Sequence, residues 1–377
     1  PQERTHPKIM YPSRLVIHLA RLKGNYHQIV EHFPGCRMAP VIKADAYGHG
    51  MVQCAKALEE EGVPYLSVFT VDEGAALRAA GVRTRLILLG GVMDASECGA
   101  AVRLDNAAFP VWNMGIAREL SREAQAAGRR VDVHLTVDTG MSRLGFYPEE
   151  CPEAISIISS LPGLRLKGAF THLASADCPE KDYTARQCNA FRKVVGMLPE
   201  EADEIHQSAT PGMLAGVGLE YPILRPGFVL YGYGSGPHDH GMQLQPVMEF
   251  ETSLISIKEV PPGAEISYGG IYKVEGNPRR IAVLPVGYAD GYPRRLSNQA
   301  DVLVRGRRAP IRGRICMGML MADVTEIPEA RPGDRAVLLG ADGTEAIDAV
   351  ELAHKLDTIP YELLCRLGAH QNRVFIS

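Results

Sequence analysis

The sequence predicts an α/β protein in two parts. An N-terminal (β/α)8 barrel of the TIM type is expected over residues 11–240, and a C-terminal all-β domain over 241–377 with residues 1–10 packed on it. Three observations predict this. From 41 to 232, short apolar or β-branched runs alternate with Ala/Glu/Arg/Leu-rich stretches, the rhythm of strand followed by helix. After about residue 240 the texture changes to short alternating segments between Pro- and Gly-rich turns, an all-β pattern. The competing architecture, an open doubly wound sheet, lacks its usual nucleotide loops: neither G-x-G-x-x-G after the first strand nor G-x-x-x-x-G-K-[ST] occurs.

Taken in order, the barrel strands are expected at 41–46 (VIKADA), 65–70 (YLSVFT), 86–90 (LILLG) and from 109 (FPVW). They continue at 131–138 (VDVHLTVD), 166–173 (LKGAFTHL), 205–210 (IHQSAT) and 224–232 (LRPGFVLYG). Stretches such as 72–80 (DEGAALRAA) and 114–127 have helical character, and Gly-Val or Pro-Gly pairs often precede the next strand. The later segments 250–258, 280–286, 301–305 and 336–340 alternate as half-buried strands do. No low-complexity linker separates the two parts, so they are expected to pack together.

A chain of 377 residues, 46% hydrophobic, can bury a sizeable core. Its net charge of −4 gives no electrostatic reason to expect nucleic acid or an anionic membrane as partner. No apolar run approaches the roughly 18 residues of a membrane span, and the N-terminal residues show no signal-peptide core. Eight irregularly spaced cysteines without C-x-x-C read as reduced, mostly buried thiols of a cytoplasmic protein. The HDH at 238–240, flanked by Gly and Pro, reads as a polar loop rather than a metal site, and no metal is expected.

The chemistry begins in PVIKADAYGHG, residues 40–50. Lys43 follows apolar residues and is expected at the C-terminal end of a buried strand, the active face of a barrel. A desolvated lysine there has a lowered pKa and an amine able to form a Schiff base. The bland alternative is a lysine reaching solvent from a strand end. The Tyr-Gly-His-Gly that follows argues against it, because such a turn brings the Tyr47 hydroxyl and backbone amides up to a phosphate. His49 reads as a turn residue.

This decamer resembles the pyridoxal-phosphate (PLP) motif of the alanine racemase family. The resemblance spans essentially the whole chain: VDTGMSRLG (137–145), THLASAD (171–177), LRPGFVLYG, EISYGG (265–270), GYADGYPRR (287–295) and GRICMGML (313–320) follow in the family's order. It implies a homodimer with active sites shared head to tail, and PLP as cofactor. It also implies racemisation of a small amino acid, alanine before serine or a broader set.

By the same resemblance Lys43 is the Schiff-base lysine and Tyr47 touches the phosphate. Thr210 stands at the family's phosphate-binding Ser, with the backbone of Gly227 and Phe228 completing that cup. His172 lies at the ring face, Arg143 near the ring hydroxyl and substrate carboxylate, and Arg225 at the pyridine nitrogen. The partner chain supplies Tyr268 as second base, the Met317 amide for the carboxylate, and Tyr288 at the entrance. The roles are chemically coherent. Inverting Cα needs a proton taken from one face and returned on the other, so two groups flank the cofactor. Arg225 stays protonated and leaves the pyridine nitrogen a neutral acceptor, which limits electron withdrawal into the ring.

Four positions depart from the family pattern. Thr136 replaces a lysine that is carbamylated in many members, so Arg143 needs another anionic partner or a bound anion. Ala209 replaces an Asn, Gly318 an Asp, and Ala369 a Tyr that narrows the substrate pocket, which keeps the serine alternative open. A non-catalytic PLP carrier lacks the C-terminal domain and its tyrosine, both present here. A decarboxylase needs a catalytic Cys, but Cys316 precedes Met317 in the racemase motif. Tyr292 reads equally well as β-domain core.

Overall fold

The computed structural model describes residues 13–178, 180–234, 241–368 and 372–377. They form two units: 20–46 with 51–245, and the described residues up to Leu19 with 47–50 and 246–377. The first strand, β1 (Arg14–His18), belongs to the second unit. It runs antiparallel to a later strand (Leu15 opposite Phe250) and parallel to the last one (Leu15 opposite Arg373). The expected span 11–240 placed this segment with the barrel. Its three buried residues, Leu15–Ile17, instead fill a place inside the other sheet.

The barrel strands are β2 (Arg37–Met38), β3 (Tyr65–Thr70), β4 (Arg85–Gly91) and β5 (Ala107–Val111), then β6 (Val131–Thr136), β7 (Leu164–Phe170), β8 (Glu204–Ala209) and β9 (Ile223–Arg225). All pair in parallel in the order β2-β9-β8-β7-β6-β5-β4-β3. A bridge between Val41 and Ser67 joins the two ends, with Ile42 N–H on the Ser67 carbonyl at 2.9 Å. The ring is therefore the expected eight-stranded barrel. Every residue of β6 is buried, as strands covered on both faces require. Helices such as Met51–Glu60, Val71–Ala79, Met114–Ala126 and Asp182–Val195 alternate with the strands. Thr70 and Asn113 cap two of them through their side chains.

Two expected strands are shorter than the apolar runs that announced them. In VIKADA only Val41 bridges a neighbour, and the chain turns at Lys43–Tyr47. In LRPGFVLYG the strand ends at Arg225, because Pro226 has no N–H for the ladder, and Phe228–Tyr231 forms a 3-10 turn.

The second unit is mostly β. Its strands are β10 (Met248–Ser253), β11 (Ser256–Val260), β12 (Glu265–Ile266), β13 (Tyr272–Lys273), β14 (Arg279–Leu284) and β15 (Asp301–Val304). β16 (Arg307–Pro310), β17 (Leu320–Asp323), β18 (Arg335–Asp342), β19 (Glu345–Ile347) and β20 (Arg373–Ile376) follow. One sheet runs β16-β15-β18-β10-β1-β20 with β19 on β18; β11-β14-β17 and β12-β13 form two smaller ones. The all-β expectation omitted two helices, Ala349–Leu356, capped by Asp348, and Pro360–Gly368. Tyr292 is fully buried in this core. All eight cysteines are free thiols, but only Cys54, Cys98 and Cys151 are buried, and Cys178 is exposed. Among the described residues no helix is long and apolar enough to cross a membrane.

Candidate active site

Lys43 opens a turn in which Ala44, Asp45 and Ala46 all have left-handed backbone, with φ of 51°, 54° and 55°. Each such L-residue costs about 1–2 kcal/mol, so the surroundings must hold the turn in place. Three hydrogen bonds do so. Ala44 N–H donates to Glu73 Oε1 at 2.8 Å, Met51 N–H to Asp45 Oδ1 at 2.7 Å, and Ala46 N–H to the Ile42 carbonyl at 2.8 Å. The other Glu73 oxygen accepts from Phe69 N–H at 2.6 Å, so one carboxylate ties the lysine turn to the end of β3. Lys43 is half-buried, and its Nζ lies 5.4 Å from the centre of the Phe69 ring. Glu73 was not singled out in the sequence; its only signal there is the Thr70-x-x-Glu73 capping pattern.

Arg225 ends β9, inside the barrel and 2% exposed. Its Nη2 donates to the carbonyls of Thr171 (3.0 Å) and Gln207 (2.9 Å), and its Nη1 meets His206 Nδ1 at 2.6 Å. Burial pulls its pKa down to about 9, which still leaves a cation and donor at neutral pH. Behind it a chain of polar side chains continues: His206 Nε2 to His134 Nδ1 at 2.9 Å, then His134 Nε2 to Glu204 Oε2 at 2.8 Å. Arg85 clasps Glu204 through two bonds of 2.8 Å and also bonds Asp132. Sequence reading missed this chain, since each member sits singly within an apolar strand.

Thr210 and the Gly227–Phe228 backbone come together: Gly227 N–H donates to Thr210 Oγ1 at 2.9 Å. With its oxygen accepting, the Thr210 hydroxyl keeps its proton to donate elsewhere. Tyr47 is buried with its ring 5.7 Å from that of Tyr361, and burial pushes its phenol well above its ordinary pKa. His49, expected as a turn residue, is fully buried with Nδ1 3.1 Å from the Tyr47 carbonyl oxygen.

Arg143 and His172 line a cavity of about 40 Å³ with Phe69, Thr136, Asp138 and Phe170. Burial first, then the cations Arg225, Arg143 and Lys43, hold the His172 pKa down to about 3, so the ring is neutral. Asp138 accepts the backbone N–H groups of Gly140, Ser142 and Arg143, which folds the loop carrying Arg143. The Thr136 hydroxyl, where the family pattern has a lysine, is buried without a protein partner among the described residues.

The second unit gathers Tyr268, Met317 and Tyr288. Ser267 (φ 65°) donates its hydroxyl to the Arg314 carbonyl at 2.6 Å, which sets Tyr268 beside the irregular segment 314–317. Tyr288 N–H bonds the Cys316 carbonyl at 3.1 Å and Ala289 N–H the Met317 carbonyl at 2.9 Å. Gly287 permits this approach, since a β-carbon there would lie 2.2 Å from the Cys316 oxygen. All three side chains are exposed in the single chain, Tyr268 at 71% and Met317 at 62%. Ala369 lies outside the described residues.

Residues 17–235 match the family model described as alanine racemase, N-terminal domain, and 247–375 that described as alanine racemase, C-terminal domain. The chain belongs to the alanine racemase family. An alanine racemase of Halothermothrix orenii is 40% identical over 374 residues, covering 98% of each chain. One of Syntrophobacter fumaroxidans is 40% identical over 371 residues, covering 97% of this chain and 98% of the relative. The solved alanine racemase of Clostridium difficile 630 superposes with a TM-score of 0.91 at 33% identity, over 98% of this chain and 97% of the other. The activity is that of an isomerase, an alanine racemase, and its cofactor is pyridoxal phosphate. The donor set fits that cofactor: an amine at Lys43, a buried cation at Arg225, and a hydroxyl with a backbone turn at Thr210 and Gly227 suited to a phosphate.

Proposed function

We propose that this chain racemises alanine by two proton-transfer groups, Lys43 on one face of Cα and Tyr268 on the other, in a homodimer whose sites draw on both chains. The observation that carries this reading is the division of labour between the units. Lys43, Arg225, Thr210 and Gly227 assemble within the barrel, while Tyr268, Met317 and Tyr288 assemble, exposed, in the β unit. Bound pyridoxal phosphate acts as an electron sink that acidifies the Cα–H of the amino acid. The Lys43 amine would hold it covalently and, once displaced by the amino group of the substrate, would take or return a proton at Cα. The Tyr268 hydroxyl does the same from the opposite side. Arg225 would donate to the pyridine nitrogen, and Thr210 with the Gly227–Phe228 backbone and Tyr47 would hold the phosphate. Neutral His172 would lie at the ring face, Arg143 and the Met317 amide would orient the substrate carboxylate, and Tyr288 would border the entrance. The relatives above bear alanine in their names, which puts alanine ahead of the serine alternative. The reaction would run in the cytoplasm and supply D-alanine for peptidoglycan.

Subunit mixing tests this. Lys43→Ala and Tyr268→Phe chains, each nearly inactive alone, should together regain up to about one working site per heterodimer. With subunit exchange verified, no gain over the separate variants would place both groups in one chain.

A further inference from the structure

We infer that Glu204, at the start of β8, is a positioning residue for racemisation: through His134 and His206 it fixes the single proton arrangement that lets Arg225 keep its place. The inference rests on the reading of Arg225 as the cofactor's partner. All four side chains are nearly inaccessible, with exposures of 4% (Glu204), 1% (His134), 0% (His206) and 2% (Arg225), so water does not substitute for their bonds.

The two ends of the chain dictate the middle. A guanidinium has only donors. Its Nη1 lies 2.6 Å from His206 Nδ1, so that nitrogen must offer a lone pair. Neutral His206 then carries its proton on Nε2 and donates it to His134 Nδ1, 2.9 Å away. His134 in turn carries its proton on Nε2 and donates it to Glu204 Oε2 at 2.8 Å. At the far end Glu204 must be acceptor-only, that is, ionised. Burial opposes ionisation, but the His134 and Arg85 hydrogen bonds outweigh it and draw the carboxyl down to about 2. Every proton thus points from the mouth of the barrel toward its base.

Glutamine at 204 would break this logic at one atom. Arg85 gives each Glu204 oxygen one donor, Nε to Oε1 and Nη2 to Oε2; with the amide oxygen kept on Nε and Nη2 left to Asp132, the N–H₂ takes the Oε2 place and faces His134 Nε2. That nitrogen would need a lone pair, so both imidazoles would switch tautomer and His206 Nδ1–H would face the Arg225 N–H. Two donors cannot stay 2.6 Å apart. Arg225 would move.

Neutron diffraction from the deuterated wild-type holoenzyme at neutral pH reads the arrangement directly. Deuterons are expected on His206 Nε2 and His134 Nε2 and none on Glu204. A deuteron on Nδ1 of either ring, or on the carboxylate, overturns the inference, and this measurement stands even if Glu204→Gln fails to fold. Folded Glu204→Gln should lose about ten- to a hundredfold in kcat, the scale of a small misplacement, with KM changed less than twofold and the bound cofactor's absorption band shifted. Wild-type kcat and spectrum in a folded variant would leave Glu204 without a positioning role. Arg225→Lys tests the underlying reading separately. If it leaves kcat and spectrum unchanged, Arg225 is not the cofactor's partner, whatever the neutron map shows for the relay.

Discussion

The barrel site and the β-unit cluster are built in opposite ways. Around Arg225 three bonds, to His206 and to the Thr171 and Gln207 carbonyls, come from the same barrel, and exposure is nearly nil. Around Tyr268 and Met317 only the backbone is fixed, by Ser267, Gly287 and the Cys316–Met317 carbonyls, while the side chains stand exposed. A group that must hold one protonation state against a cofactor needs a closed, dry network. Under the proposed function, a group that serves a second chain's cofactor needs a rigid base and a bare head. The contrast teaches that substitutions in the barrel should act through networks, whereas those in the β unit should act atom by atom.

The largest effect is expected from a single atom. Tyr268→Phe removes one hydroxyl from an exposed ring and should leave folding and cofactor colour intact. Losing a general base or acid typically costs about 10²–10⁴-fold, here in the L-to-D direction first. Exchange of the Cα hydrogen of L-alanine with solvent deuterium measures that step. Exchange at the wild-type rate would remove Tyr268 from the reaction and with it the contrast between the units.

A smaller loss is expected where the β unit's backbone is disturbed. In Gly287→Ala the new methyl would lie 2.2 Å from the Cys316 carbonyl oxygen and 2.3 Å from that of Met317, so the two segments must separate. A shift near 1 Å in a positioning group can cost about 10²-fold in rate, so a drop in kcat/KM of roughly ten- to a hundredfold is expected. A variant as active as wild type would mean that the Tyr288 and Met317 backbones need no fixed separation.

Much of this was legible in the sequence, for a physical reason. Residues that follow apolar runs announce themselves, because the runs stop at them; Lys43 and Arg225 were readable that way, whereas Thr210 was legible only through the resemblance to the family. The partners that hold them were not. His134 and His206 are 72 residues apart, and only the order β6-β7-β8 brings them to 2.9 Å. The left-handed turn after Lys43 was equally hidden, since Ala44, Asp45 and Ala46 do not advertise positive φ as glycines do. The lone strand Arg14–His18 joined the more distant sheet because its pairing partners lie beyond residue 246.

The smallest expected effect concerns Glu73, and it sharpens the network half of the comparison. Its carboxylate accepts the N–H groups of Ala44 at 2.8 Å, Phe69 at 2.6 Å and Thr70 at 3.3 Å. It therefore joins the strained lysine turn to β3 without touching Lys43 Nζ in any of these bonds. Glutamine keeps one acceptor oxygen and replaces the other with a donor. It can satisfy Ala44 or Phe69, but not both, and turns an N–H₂ toward the remaining amide. Lost bonds of this kind cost about 1–3 kcal/mol, comparable with the strain of one left-handed residue. Glu73→Gln should lower the denaturation midpoint modestly and reduce kcat only a few-fold, because the turn retains its bonds from Met51 and Ala46. The decisive reading is local. Amide hydrogen exchange at Ala44 should accelerate by about ten- to a hundredfold, the factor that 1.4–2.8 kcal/mol corresponds to, while amides of β6 keep their protection. Unchanged exchange at Ala44 would show that the turn holds itself, and that the barrel site depends less on its network than the β unit does on its backbone.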